Sequence, residues 1–419
     1  MPIQQPFIQN KIQEYTDLIV STRRYLHEHP ELSQREFETK KLVLSHVRQL
    51  GLSHIEAGTN SVIATLDTGR PGKTLLLRAD MDALPLQEAE ENLCQKKTAV
   101  SKNKGVCHAC GHDGHTAMLL GAMHVLCDLK EQLRGKILFC FEEAEETMAG
   151  IYPVMEALEP YSIDGAWGMH LTAMHPAGKI SVNEGAVMAG ANRFEVVVHG
   201  KGGHGSRPDQ LISPVFGAAY ILSALPNAWV NEIDVTKTVT LGIGLLQGGQ
   251  QENVIPDTVT FAGSMRYFDE QAGMEAVEAF QRICESTARA HRCTVEYKSL
   301  RTQYPPPVIN DAASAARAQN AVKKILGEEH LIQGEPWFGS ESMALYLKKY
   351  GGAFAFVGIR NEQLGTGAVH HNEHFDIDES VLPLGTAVTV QYAWDFLNEH
   401  EWRDCDGNTV SSGQGAGYP

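Results

Sequence analysis

Asn192-Arg-Phe-Glu-Val-Val-Val-His-Gly-Lys-Gly202 decides how this chain is organised. Apolar and polar side chains alternate along it, the period of a strand with one face on a core and the other in water. Downstream, Pro214 to Leu225 reads as a helix, Thr236–Gly249 and Asp257–Phe268 as strands, Glu275 to Ala290 as a helix and Cys293–Leu300 as a last strand. The order β-α-β-β-α-β is the ferredoxin-like pattern, and roughly 110 residues is enough for a domain.

Upstream the pattern is different. Residues 7 to 50 read as two helices broken at His29-Pro30, because the residue before proline avoids helical geometry. Ser61–Asp67 and Lys73–Asp82 read as strands, the second with the continuous apolar run of a buried one. A helix from Gly114 to Leu129, a strand and turn over Lys136–Glu146, another helix and the strand Asp164–Leu171 follow. The same character returns after Tyr304–Asn310, which reads as a linker, with helices near 313–326 and 341–349 and the strand Ala353–Ile359. Alternating strands and helices imply α/β layers around a sheet that is at least partly parallel. The expectation is an α/β domain over 1–187 and 300–404, a mixed sheet flanked by helices. A ferredoxin-like α+β domain, 188–299, is inserted into it. The small, polar stretch 405–419 is expected to be disordered.

A length of 419 residues agrees with two domains. A net charge of −16 argues against nucleic acid and gives no basic patch for an anionic membrane. No apolar run approaches the roughly 20 residues of a membrane helix, and the first residues lack a signal-peptide pattern. Eight cysteines in so long a chain are not a disulfide framework, so a reducing, cytoplasmic setting is expected.

The densest chemistry lies in Cys107-His-Ala-Cys110-Gly-His112-Asp-Gly-His115. Thiolate and imidazole donors suit zinc, manganese, cobalt or nickel in different degrees. Cys107-x-x-Cys110 also reads as a redox pair or half of a structural zinc site. No second Cys-x-x-Cys completes a zinc ribbon, and Gly111 stands where haem attachment needs histidine. After an apolar strand, Phe141-Glu-Glu-Ala-Glu-Glu-Thr147 places four carboxylates together. These repel one another unless a cation or protons compensate. A solvated acidic turn is the alternative. Gly168-Met-His170 ends another apolar strand, and His370-His-Asn-Glu-His374 offers three histidines; His370 and His371 point differently, so at most one of those two is expected as a ligand. Asp80 and Asp82, two apart at a strand end, share a face and are candidates to support the site. The glycines around His204 make a flexible loop that lacks phosphate-loop spacing.

Taken in order, these segments resemble the M20 metallopeptidase superfamily, in its amidohydrolase branch of hippurate hydrolases, auxin–amino acid conjugate hydrolases and N-acyl-amino acid deacetylases. The resemblance runs from about Tyr25 to Val390. It rests on Arg23–Ser33, Leu75–Pro85, His108–Ala122, Ala144-Glu-Glu146, Gly168-Met-His170, His370–Glu379, Gly200–Pro208 and Asn253–Asp269. It implies that Cys110, His112, Glu146, His170 and His371 bind two divalent ions, Mn2+ or Zn2+ first and Co2+ or Ni2+ next, with Cys110 as the bridging thiolate. Glu145 would be the general base. The inserted domain would act as lid and dimerisation domain, and His204 would reach a neighbouring subunit's site and stabilise the oxyanion. Asn253 and Arg266 are candidates for holding a substrate carboxylate. The implied activity is metal-dependent hydrolysis of N-acyl amino acids or similar small amides by a homodimer or higher homo-oligomer. A dipeptidase or carboxypeptidase-like hydrolase is the alternative within the fold, and a redox or metal-binding protein using Cys107 and Cys110 the alternative outside it. Where relatives read Phe-Gln-Pro before Ala-Glu-Glu, this chain has Phe141-Glu142-Glu143, expected to add charge beside the metals. Cys107 replaces a usual methionine, and Asn372-Glu373 a usual Asn-Pro.

Overall fold

In the computed structural model, which describes residues 4–300 and 305–398, Pro30 breaks the first helical stretch. Helix α1 (Gln4–Glu28) ends two residues before it and α2 (Phe37–Gln49) begins beyond the turn. Then come β1 (Ser53–Ala57), β2 (Ser61–Asp67), β3 (Thr74–Asp80), α3 (His112–Asp128), β4 (Lys136–Glu142), α4 (Ile151–Ala157), β5 (Gly165–Pro176) and β6 (Ile180–Ser181). The middle of the chain gives β7 (Gly185–Met188), β8 (Gly190–His199), β9 (Gly203–His204), α5 (Pro214–Asn231), β10 (Val239–Gln247), β11 (Val254–Ile255), β12 (Thr258–Tyr267), α6 (Glu270–Ala290) and β13 (Thr294–Leu300). Last are β14 (Val308–Asn310), α7 (Ala312–Ile325), β15 (Leu331–Ile332), α8 (Met343–Tyr350), β16 (Gly352–Arg360) and α9 (Val381–Asn398). The stretch 405–419, expected to be disordered, lies outside the described residues.

The chain divides into two compact units. One comprises Met1–Gly185, Ile309–Glu335 and Leu345–Pro419; the other Ala186–Val308 and Pro336–Ala344. The segment Pro336–Ala344, expected with the α/β part, therefore goes with the second unit.

The first unit holds a mixed sheet of eight strands in the order β1-β2-β4-β3-β5-β16-β6-β15. Its centre is parallel: β3 pairs with β4 and β5, and β5 with β16. Helices α1, α3, α7 and α9 pack on one another, and α3, α7 and α9 also touch the sheet. Helices α3 and α9 are buried nearly all round, so neither shows a polar stripe in sequence. Helix α9 goes unforeseen. The parallel arrangement brings the ends of β3 and β4 level, with Asp80 opposite Glu142, and open parallel sheets place their ligands at such carboxyl ends.

The second unit contains an antiparallel four-stranded sheet, β10-β12-β8-β13. With α5 and α6 against it, this is the ferredoxin-like order. Phe194, Val196 and Val198, every second residue of the opening stretch, enter its core. Among the described residues no helix is long and apolar enough to cross a membrane.

Candidate metal centre

Gly111 separates the two donors of the densest motif. Its φ of 91° favours glycine, and a Cβ there would come within 3.3 Å of the Leu171 side chain. The turn lets Cys110 precede α3 while His112 starts it. Asp82 accepts a hydrogen bond from His112 Nδ1 at 3.2 Å. A carboxylate only accepts, so Nδ1 carries a proton and Nε2 faces the cluster. That buried Nε2 has no hydrogen-bond partner and lies 3.8 Å from Asp80 Oδ2 and 3.8 Å from Glu146 Oε1. Burial opposes positive charge on His112, but Asp80, Cys110 and Asp82 outweigh it and raise its pKa well above the ordinary value. The surrounding groups favour a cation at this point.

His170 lies within β5. Its Nδ1 donates to Leu171 O at 2.6 Å, which leaves the Nε2 lone pair 3.7 Å from Cys110 Sγ. Burial, then the neighbouring His115 and His370, lower its pKa well below the usual histidine range. It is the neutral imidazole a metal ligand must be. Glu145 and Glu146 sit on a short 3-10 turn after β4, between left-handed Ala144 and Met148. Asp82 grips this turn too, accepting Glu145 N at 3.1 Å and Glu146 N at 3.2 Å. His371 is itself left-handed, with φ 61°. Its N–H donates to Ala109 O, and its Nε2 lies 3.3 Å from Glu146 Oε1.

Donor atoms therefore gather within 4.8 Å of one another in overlapping groups: Cys110, His112 and His170; Cys110, Glu146 and His371; His112, Glu145 and Glu146. Cys110 belongs to two of them. The set fits divalent ions on two observations: the buried His112 Nε2 and Glu146 Oε1 lie 3.8 Å apart with no hydrogen bond to either, and the donors mix thiol, imidazole and carboxylate. Burial, with Glu146 adding, pushes the Cys110 thiol up; a cation among these donors inverts that. A fourth group, Asp80, His112 and His115, has a different role. His115 Nδ1 donates to Asp80 at 2.6 Å and its Nε2 accepts from Leu171 N at 2.8 Å, so both nitrogens are committed. Asp80 also takes Arg78 Nη1 at 2.8 Å. This pair braces the site. The sequence reading missed His115 as a brace, although its position three residues after His112 on a helix signals a shared face.

Two expectations need correction. Glu142 and Glu143 do not add charge beside the metals. Glu142 is held by Arg78 Nε at 2.8 Å and Tyr346 Oη at 3.0 Å, and Glu143 accepts Thr59 N and Asn60 N at 2.7 and 2.9 Å. Arginine and backbone amides, not a metal, compensate two of the four carboxylates. For the redox alternative, Cys107 is poorly placed. It packs in the main apolar core, and burial pushes its thiol up to about 12, whereas exchange needs thiolate. Of the other histidines, His370 donates Nε2–H to Leu171 O and His374 Nδ1–H to Glu91 O.

His204, Asn253 and Arg266 lie in the second unit. His204 is exposed on β9, opposite Val254, and its Nδ1 accepts from Ser206 N, which leaves the proton on Nε2. Asn253 is exposed and its carbonyl accepts Gly205 N. Arg266, half-buried on β12, donates to Ser340 Oγ at 3.3 Å.

Residues 76–395 match the family described as Peptidase family M20/M25/M40. The chain is 36% identical over 398 residues to thermostable carboxypeptidase 2 of Saccharolobus solfataricus, covering 94% of this chain and 98% of that one. It is 34% identical to N-acetylcysteine deacetylase of Bacillus subtilis, covering 90% and 96%. Its structure resembles that of the Bacillus subtilis YXEP protein, a dinuclear metal binding peptidase from the M20 family. The TM-score is 0.79 and the identity 30%, covering 93% of this chain and 99% of that one. With a matching profile over most of its length and a donor cluster of this kind at its centre, the chain belongs to the M20 peptidase family and is a hydrolase.

Proposed function

We propose that this hydrolase cleaves the amide bond of N-acyl amino acids or similar small amides. The observation that supports the reading is the overlap of three donor groups, in which Cys110, His112 and Glu146 are each shared by two groups and His170, His371 and Glu145 complete them. Those five residues would hold two divalent ions, manganese or zinc before cobalt or nickel. When bound, the ions supply Lewis acidity, which acidifies water and polarises a carbonyl. Glu145 takes a proton onto its carboxylate and returns it to the departing amine nitrogen. Asp82 and Asp80 orient the imidazoles and the glutamate turn. His204, with its proton on Nε2, is suited to stabilise the carbonyl oxygen of a neighbouring subunit's substrate. Asn253 and Arg266 are the groups proposed to hold the substrate carboxylate.

A homodimer through the second unit accords with its edge. Strand β10 borders the sheet and exposes Ile243, Leu245 and Leu246, and α5 exposes Val215, Phe216 and Tyr220. An unpaired apolar edge is a template for a second copy. The seven cysteines among the described residues are free, which supports a reducing, cytoplasmic setting. The carboxypeptidase relative favours a second reading, removal of a C-terminal residue from a short peptide.

The test is hydrolysis of acetyl, benzoyl and indoleacetyl amino acids and of blocked dipeptides by metal-loaded protein. Acyl amino acids should turn over faster, with activity lost on chelation in the presence of reductant. Glu145→Gln should keep its metals and lose nearly all turnover. Full activity of that variant removes Glu145 from the mechanism, and silence across the panel removes the proposed substrate class.

A further inference from the structure

Four consecutive backbone N–H groups carry the glutamate turn, and each donates to a side chain. Glu143 N donates to Ser61 Oγ at 3.0 Å, Ala144 N to Glu36 Oε1 at 2.8 Å, and Glu145 N and Glu146 N to Asp82. Ser61 begins β2 and Asp82 lies just past the end of β3, the two strands beside β4. Glu36 comes from much further away in sequence. It is the residue immediately before α2, where a carboxylate ordinarily caps the first N–H groups of the helix. It makes no such bond. Its fully buried side chain instead crosses to Ala144, and it also accepts Gln34 N at 3.0 Å and Asn60 Nδ2 at 3.0 Å.

What Glu36 holds is the strained point of the turn. Ala144 has φ 53° and ψ 41°, a left-handed conformation that a non-glycine residue keeps only when its surroundings impose it. The turn is packed so closely that a Cβ on Gly150 would lie 1.8 Å from Glu143 O. The next residue after Ala144 is Glu145. The geometry points to Glu36 as a positioning residue: by fixing the left-handed Ala144 it sets where the Glu145 carboxylate stands. Nothing in this depends on Glu36 touching substrate or metal. The inference rests on Glu145 being the base, and it adds a control on that base from the N-terminal segment of the chain.

A displaced base impairs the proton transfer more than substrate or metal binding. Glu36→Ala should therefore lower kcat by roughly tenfold to 100-fold, leave KM within about twofold, and retain the metal content of the wild type by elemental analysis. Glu36→Gln should be rescued. Its amide oxygen still accepts Ala144 N and Gln34 N. Its NH2 needs an acceptor, which Asn60 supplies by turning its amide, since Asn60 Oδ1 has no hydrogen-bond partner. Glu36→Asp keeps the carboxyl group but draws it back by about 1.5 Å. It should lose more kcat than Glu36→Gln, a ranking that stands as the test if the alanine variant does not fold. Wild-type kcat in Glu36→Ala, metal loss in proportion to activity, or Glu36→Asp outperforming Glu36→Gln each overturns the inference. Glu145→Gln run alongside separates the two failures. If it is inactive while Glu36→Ala is fully active, only the positioning role falls; if it turns over normally, the base assignment falls and this inference with it.

Discussion

Asp82→Asn tests how one carboxylate organises the centre. Oδ1 accepts His112 Nδ1 and Glu145 N; Oδ2 accepts Glu146 N and the Ser33 hydroxyl. Asparagine keeps the shape but turns one acceptor into a donor. With its oxygen at the Oδ1 position, His112 and Glu145 keep their partner and Ser33 rotates to accept, but Glu146 N–H is stranded. The opposite orientation strands both His112 Nδ1 and Glu145 N, so the first prevails. One buried, unpaired N–H costs about 1–3 kcal/mol. Glu146 is then loosely held and His112 is oriented by a neutral group, and losing such an orienting partner lowers metal affinity by about 10–100-fold. That is about 1.4–2.8 kcal/mol. Urea unfolding of the metal-free proteins reads the first quantity, and competition with a chromophoric chelator the second. Wild-type metal affinity in Asp82→Asn would falsify the claim that Asp82 orients the ligands. A stability loss without an affinity loss would confine Asp82 to holding the backbone.

Cys107→Ala should preserve metal content and keep kcat within about twofold, because its thiol belongs to the core; its chief effect is a cavity costing about 1–2 kcal/mol in unfolding free energy. Loss of activity, or activity that depends on reductant in wild type but not in the variant, would restore a redox role. The buried Glu88 gives a pH signature. Burial works to raise its carboxyl, but His27, Lys97 and the Ser101 N–H outweigh it and lower it to about 2. A carboxyl lowered in the folded state contributes stability above its unfolded pKa, near 4.5, which is lost as pH falls through the folded value. The stability gap between wild type and Glu88→Gln should therefore be constant above about pH 5 and close toward pH 2. A gap that does not change with pH over that range would mean that Glu88 is not ionised against His27 and Lys97.

Several features are legible in the sequence. The alternation in Asn192–Gly202 marks a half-buried strand, and Phe194, Val196 and Val198 do face the core of the second unit. Pro30 forces the break between α1 and α2 because proline dictates local geometry whatever surrounds it. The cluster around Cys110 stands out because thiol, imidazole and carboxylate donors crowded into a few residues suit a cation by their chemistry alone. These are local properties: the period of a strand, the ring of a proline, the chemistry of a side chain.

Partnership was not legible, because a hydrogen bond depends on what lies across a gap that sequence separation does not measure. Four carboxylates in Phe141–Thr147 look alike in one dimension. The parallel register of β3 with β4, which sets Arg78 beside Cys140 and Asp80 beside Glu142, brings the Arg78 guanidinium onto Glu142. The loop before β2 takes Glu143, and only Glu145 and Glu146 remain to face His112. In the same way, His371 rather than His374 meets Glu146, through a left-handed backbone that spacing does not announce. The sequence by itself determined the donor types and the strand and helix periods, because these follow from single residues and their near neighbours. Only the tertiary structure decided which acid meets a guanidinium, which meets backbone amides and which gathers with the thiol and imidazoles, because charge compensation is settled by contact in a low-dielectric interior.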